Sequence, residues 1–127
     1  MKGLHALTTL VLAATLSQVY GAGLLVFAGN YDFHPTFGYV VLLLVIVQAL
    51  WIGVSRKRHL GWPVGLALVS GIAAPFLVIN GPQLGATLAS LHPLFGVAVV
   101  IAEVVLWLRT RAQSPALCSA PPPGIEG

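Results

Sequence analysis

Two histidines of this chain stand in matching sequence motifs. Residues 33–38 read FHPTFG and residues 91–96 read LHPLFG, so His34 and His92 share the pattern apolar-His-Pro-x-Phe-Gly, 58 residues apart. Each copy opens a long apolar run. Imidazole is the commonest protein ligand for metals, and two imidazoles from two helices could ligate one haem iron axially. The repeat therefore predicts two helix pairs, each presenting one histidine at the same depth.

A glycine follows each histidine by one helical turn. His34 and Gly38 are four residues apart, as are His92 and Gly96, so each pair shares one helix face. A glycine at this point would remove side-chain bulk where the edge of a porphyrin presses on the helix, and the neighbouring phenylalanines could flank the ring. The candidate cofactor-binding residues are His34, His92, Gly38, Gly96, Phe37 and Phe95, with His34 and His92 as the metal ligands.

Other interpretations of the motif stay open. A duplicated helix pair repeats its structural residues as well as its functional ones, so the His-Pro step could be a helix cap at the membrane–water interface. Glycine could serve helix packing alone. A different metal or a proton relay would also use a pair of histidines.

Polar residues lie deeper on the same two faces. Gln48 follows His34 by 14 residues, about four turns, and Glu103 follows His92 by 11 residues, about three turns. Gln18 is a third polar residue within an apolar run. Because polar groups in hydrocarbon are costly, we expect these side chains to face the bundle interior. Glu103 could be protonated, pair with Gln48 or another inward polar group, or snorkel toward the nearby basic residues.

The composition indicates a membrane protein. Hydrophobic residues make up 57% of the 127 residues and charged residues 7%, with a mean hydropathy of +0.94. A soluble domain of this size needs more charge to cover its surface. The single cysteine, Cys118, excludes an internal disulfide and a cysteine metal cage. The few basic residues do not favour nucleic-acid binding.

Four apolar stretches are long enough to cross a bilayer, which takes roughly 20 residues. The sequence predicts an all-α, four-helix transmembrane bundle over residues 1–111, with spans at about 4–27, 35–54, 62–79 and 90–108. The Asn-Gly-Pro sequence at 80–82 is expected to end the third span. Residues 112–127, rich in proline, are expected to form a disordered cytoplasmic tail. A cleaved signal peptide is the alternative for the first stretch, although its apolar run is longer than is typical.

Charge placement predicts the orientation. With four spans, both termini share one side of the membrane with the loop after the second span, and that side carries all six Lys and Arg residues. We therefore expect a multi-pass protein of the cytoplasmic (cell) membrane, and the positive-inside rule places both of its termini in the cytoplasm. Both histidines lie at the opposite face.

Two resemblances arise from these residues. The chain resembles a family of small bacterial four-helix integral membrane proteins of unknown function, over nearly its whole length except the tail. The residues that carry this resemblance are the segment 18–24 (QVYGAGL), Phe27, the 33–39 motif and its counterpart at 91–96. More loosely, Gln18, the nearby glycines and His34-x-x-x-Gly38 are similar to one half of haem A synthase. That resemblance implies haem b between His34 and His92.

The second resemblance also has departures. Haem A synthases carry an acidic residue and usually cysteines in the outer loop and have eight spans. This chain has Asp32 near that place, no outer-loop cysteine or glutamate, and four spans. The resemblance therefore implies haem binding rather than haem hydroxylation.

The sequence thus yields two main functional hypotheses. The first is a b-type haem protein that transfers electrons or handles haem. The second is a non-catalytic structural or assembly subunit without a cofactor, which binds a membrane-protein partner or a second copy of itself. A haem-modifying enzyme is a third, less favoured hypothesis, and no hydrolase triad, phosphate loop or nucleotide-binding motif is present.

Overall fold

The computed structural model describes residues 2–29 and 33–113. The helices are α1 (Lys2–Ala28), α2 (Phe33–Val54), α3 (Gly61–Leu84), the short α4 (Ala86–Ala89) and α5 (His92–Ala112), and a 3-10 turn (Arg58–Leu60) precedes α3. The tail expected to be disordered lies, from residue 114 onward, outside the described residues, and so does Asp32.

The four long helices form a bundle in which each packs on two neighbours. Helix α1 packs on α2 and α5, and α3 also packs on α2 and α5. Helices α2 and α5 are therefore diagonal, and both begin at the same end of the bundle. The prediction of an all-α four-helix bundle is confirmed.

Each long helix is long and apolar enough to cross a membrane. Their outer faces expose large apolar side chains along their length, such as Leu43, Val69 and Leu94. Water would not tolerate so much contiguous apolar surface, whereas lipid does. The structure is that expected of a multi-pass membrane protein.

Small aliphatic residues fill the interior between the diagonal helices. Val11, Val45, Ala67 and Ala102 are fully buried and belong to one cluster. Since alanine and valine leave little bulk, the helices can approach closely at this level.

Helix α3 extends past the end expected at residue 79. It runs through the Asn-Gly-Pro sequence to Leu84 and ends at Gly85, whose φ of 87° is one that glycine adopts readily. Pro82 removes one backbone donor, but the Asn80 side chain turns back to donate to the Phe76 carbonyl instead of capping a new segment. The connection to α5 then forms the single turn of α4.

The two ends of the bundle differ in chemistry. All six Lys and Arg residues lie at the first residue of α1, in the segment between α2 and the 3-10 turn, in the 3-10 turn itself and at the end of α5. Arg109 joins two of these segments by donating to the His59 carbonyl. His5 at the start of α1 also contacts Thr110 at the end of α5, with 3.2 Å between Nδ1 and Oγ1. We call this the basic end. The starts of α2 and α5, with both histidines of the repeat, form the opposite, histidine end.

Candidate functional site

His34 and His92 lie in the first turns of α2 and α5, each directly followed by proline. Proline suits a first helical turn because its missing N–H has no helical partner there. Both imidazoles are half-buried. The sequence motif thus places each ring at the same end of its helix.

The two imidazoles meet across the diagonal of the bundle. Their ring centres are 6.0 Å apart and their planes are nearly perpendicular, at 89°. The helices that carry them are separated along most of their length by α1 and α3. The histidine pair therefore bridges the bundle at this end.

A backbone carbonyl of the preceding helix anchors Nδ1 of each ring. His34 Nδ1 is 3.3 Å from the Gln18 carbonyl oxygen on α1, and His92 Nδ1 is 2.9 Å from the Ala74 carbonyl oxygen on α3. A carbonyl oxygen only accepts, so Nδ1 carries a proton, and in the neutral imidazole Nε2 is then the nitrogen with the lone pair. Metal-binding histidines are typically oriented by such a bond.

The two rings are close enough to share a metal ion. Their centres are 6.0 Å apart and their planes are nearly perpendicular, which is an edge-to-face contact of the kind that rings make at about 4.5–7 Å. Two imidazoles on one metal ion would lie at a similar distance, roughly 6.5 Å. Within residues 2–29 and 33–113, no group of three or more His, Cys, Asp or Glu side chains converges. The donor set of two imidazoles therefore fits haem, whose porphyrin provides the other ligands, better than a bare ion.

The two glycines of the motif have different surroundings. A Cβ at Gly38 would lie 2.9 Å from Gln18 Nε2, so the absent side chain leaves room for the Gln18 amide. That amide donates to the His34 carbonyl oxygen at 2.6 Å. A Cβ at Gly96 would meet nothing within 4 Å. The two glycines thus differ in their surroundings, and contact of either with a cofactor stays a prediction.

The phenylalanines of the motif are half-buried. Phe37 stacks on Phe33, one turn earlier, with 5.1 Å between ring centres, and packs against the buried aliphatic cluster. Phe95 lies one turn from Leu91 on α5. Phe37 thus contributes to the wall of the bundle, and its contact with a cofactor, like that of Phe95, stays a prediction.

A second polar group lies deep in the bundle, toward the basic end. Gln48 Nε2 donates to Glu103 Oε2 at 3.1 Å and to Thr8 Oγ1 at 3.4 Å, and all three side chains are fully buried. The helical spacing indicated Gln48 and Glu103 but not Thr8. A signal for Thr8 does exist, because Thr15 follows it by seven residues, or two turns, and is buried on the same face.

The fold and the histidine pair define the class of this protein as a four-helix bundle, suited to a membrane, with two facing imidazoles at one end. Comparisons with protein-family models, with curated proteins and with solved structures each find no match.

Proposed function

We propose that this protein binds one b-type haem at the histidine end, with His34 and His92 as the two axial ligands. The observation that carries the proposal is the pairing of two imidazoles 6.0 Å apart, each with Nδ1 held by a helix carbonyl and Nε2 carrying the lone pair. The looser resemblance to haem A synthase supports the same ligands. A haem held by two histidines supplies one-electron transfer.

The chain's own residues would preorganise the haem site. The carbonyl oxygens of Gln18 and Ala74 fix the tautomer and direction of each imidazole, which lowers the entropy lost on binding. A Cβ at Gly96 would meet nothing within 4 Å, so this position, one turn from His92, would leave room for a cofactor edge. We propose electron transfer or haem handling, and no catalytic conversion of a substrate.

The proposal includes a location and an orientation. The six Lys and Arg residues at the basic end favour the cytoplasmic side, so both termini would be cytoplasmic and the histidine pair would lie at the outer face of the cell membrane. His34 and His92 would then hold the haem near that face.

The test is an absorption spectrum of the protein purified in mild detergent from haem-replete cells. We expect a Soret band, with sharp α and β bands on reduction. His34→Ala and His92→Ala should each abolish the reduced low-spin spectrum. His5→Ala and His59→Ala, at the basic end, are matched controls and should leave it intact.

Two outcomes would overturn the proposal. One is a colourless preparation despite ample haem, and the other is an unchanged low-spin spectrum in either of the two ligand variants. A colourless protein that co-purifies with a stoichiometric membrane-protein partner would instead support the structural or assembly subunit.

A further inference from the structure

The buried Thr8–Gln48–Glu103 group is chemically incomplete. Gln48 Oε1 and Glu103 Oε1 are both buried and neither has a hydrogen-bond partner. Leaving a buried polar atom unpaired costs about 1–3 kcal/mol, and more for a charged group. Two side chains that are hydrogen-bonded to each other thus each bury one oxygen that lacks a hydrogen-bond donor.

The hydrogen bonds around Thr8 fix the orientation of the Gln48 amide. The Thr8 hydroxyl donates to the Leu4 carbonyl oxygen at 2.8 Å, so its oxygen can only accept from Gln48. Gln48 must then present its NH2 group to Thr8 and to Glu103 Oε2. Both N–H groups are used, and the Gln48 carbonyl oxygen remains as an acceptor beside the Glu103 carboxyl.

No charge compensates an ionised Glu103 among the described residues. Gln48 is its hydrogen-bond partner, and no ion pair reaches it. Helix α3 carries no titratable side chain. On α5, Arg109 is directed to the His59 carbonyl and the Trp62 ring, and on α1, His5 contacts Thr110. The remaining titratable residues of α1, α2 and α5 are Lys2, Tyr20, His34, Tyr39, His92 and Arg111.

We propose that Glu103 is a buried proton-binding site, with one proton on its Oε1 that is donated to Gln48 Oε1. This proton would pair both unpaired oxygens at once, and the Gln48 N–H to Glu103 Oε2 bond would close a ring between carboxylic acid and amide. Binding takes one proton from the medium and turns a carboxylate into a neutral acid, which is the form that a membrane interior favours. A metal cation fits less well, because a Gln48 N–H already points at Glu103 Oε2.

The substitution Glu103→Gln imitates the neutral acid. An amide at 103 can accept from Gln48 Nε2 with its oxygen and donate to Gln48 Oε1 with its N–H. We therefore expect this variant to fold, because it keeps both hydrogen bonds with Gln48, and to lose about 1–3 kcal/mol for the second amide N–H, which the neutral acid does not have. The proposal does not depend on haem binding.

Infrared spectroscopy of the full chain in mild detergent at neutral pH tests the proposal. The chain has three side-chain carboxyls, Asp32, Glu103 and Glu126. We expect a protonated-carboxyl C=O band that shifts in heavy water, disappears in Glu103→Gln and persists in the control Glu126→Gln. Gln48→Met, which removes the acceptor, should move the band to higher frequency.

Two results would overturn the proposal. One is the absence of a protonated-carboxyl band in the wild type, with loss of ionised carboxylate signal in Glu103→Gln. The other is a band that appears only when Na⁺ is replaced by choline, which would identify a metal cation as the occupant. Because the spectra can be taken with or without haem, failure here is distinct from failure of the haem proposal.

Discussion

Gln18 and His34 exchange hydrogen bonds between α1 and α2. The Gln18 amide donates to the His34 carbonyl oxygen at 2.6 Å, and His34 Nδ1 is 3.3 Å from the Gln18 carbonyl oxygen. One residue of α1 thus satisfies a backbone acceptor at the start of α2 and orients the imidazole. Gly38 makes this possible, because any side chain there would occupy the space of the amide.

Gly38→Ala should therefore destabilise the protein. The added Cβ would lie 2.9 Å from Gln18 Nε2 and displace the amide from the His34 carbonyl. We expect a net loss of about 1 kcal/mol in the free energy of unfolding, because the lost hydrogen bond and its unpaired groups outweigh the gain in helix propensity that alanine brings. Thermal unfolding in mild detergent, followed by circular dichroism, measures it.

Gly96→Ala is the matched control for that substitution. It occupies the equivalent position of the second motif, where a Cβ meets nothing within 4 Å. We expect no loss of stability, and a gain of up to about 1 kcal/mol from the better helix propensity of alanine. Equal losses of stability in Gly38→Ala and Gly96→Ala would show that the contact with Gln18 does not cause the effect of Gly38→Ala.

Gly21→Ala should disturb the packing of α1 on α2. A Cβ at Gly21 would lie 2.5 Å from the Phe33 ring, which must then move at the very start of α2. We expect a lower melting temperature by several degrees, for a loss of about 1–3 kcal/mol. Gly23→Ala, two residues on and without a neighbour within 4 Å, should melt near the wild type. A wild-type melting temperature for Gly21→Ala would contradict the close approach of the Phe33 ring to Gly21.

Arg56→Gly should stabilise the turn after α2. Arg56 has a φ of 52°, a left-handed conformation that costs a residue with a Cβ about 1–2 kcal/mol. Glycine adopts it without strain, so we expect a gain of about 0.5–1 kcal/mol after its greater loss of entropy. Arg58→Gly removes the same charge in the 3-10 turn and should lower the melting temperature instead. Thermal unfolding of the two variants separates backbone strain from charge.

The orientation can be tested by cysteine labelling in intact cells. In a Cys118→Ser background, Ser90→Cys puts a thiol at the histidine end and Ser55→Cys puts one at the basic end, both at exposed positions. A membrane-impermeant maleimide should label Ser90→Cys in intact cells and Ser55→Cys only after the membrane is opened. The reverse pattern would place the histidine pair in the cytoplasm, and Cys118→Ser alone is the unlabelled control.

The length of the four apolar stretches was sufficient to predict the four helices. Helical spacing was sufficient to indicate Gln48 and Glu103 as inward-facing residues, since it depends on one helix alone. The partners of His34 and His92 could not be predicted in this way. Which carbonyl each imidazole meets depends on how two helices far apart in sequence pack together.

Two local features of the sequence were also insufficient to predict the structure around them. The two copies of the motif look alike, yet Gly38 borders Gln18 and Gly96 borders open space, because no glutamine on α3 is placed like Gln18 on α1. The Asn-Gly-Pro sequence suggested a helix end, but α3 continues through it to Leu84, and the Asn80 side chain donates to the Phe76 carbonyl of the same helix. Neither outcome follows from residue types alone.

The diagonal arrangement of α2 and α5 fixes their register at two points. The His34–His92 contact lies at one end, and the Gln48–Glu103 bond lies about 21 Å along α2 and about 16 Å along α5 from it, at about 1.5 Å per residue. A slide of one helix by a single turn, about 5.4 Å, would separate both pairs together. A lengthwise shift of α5 against α2 that changes the His34–His92 contact would therefore also change the Gln48–Glu103 bond. The two sites are mechanically coupled through the register of these two helices.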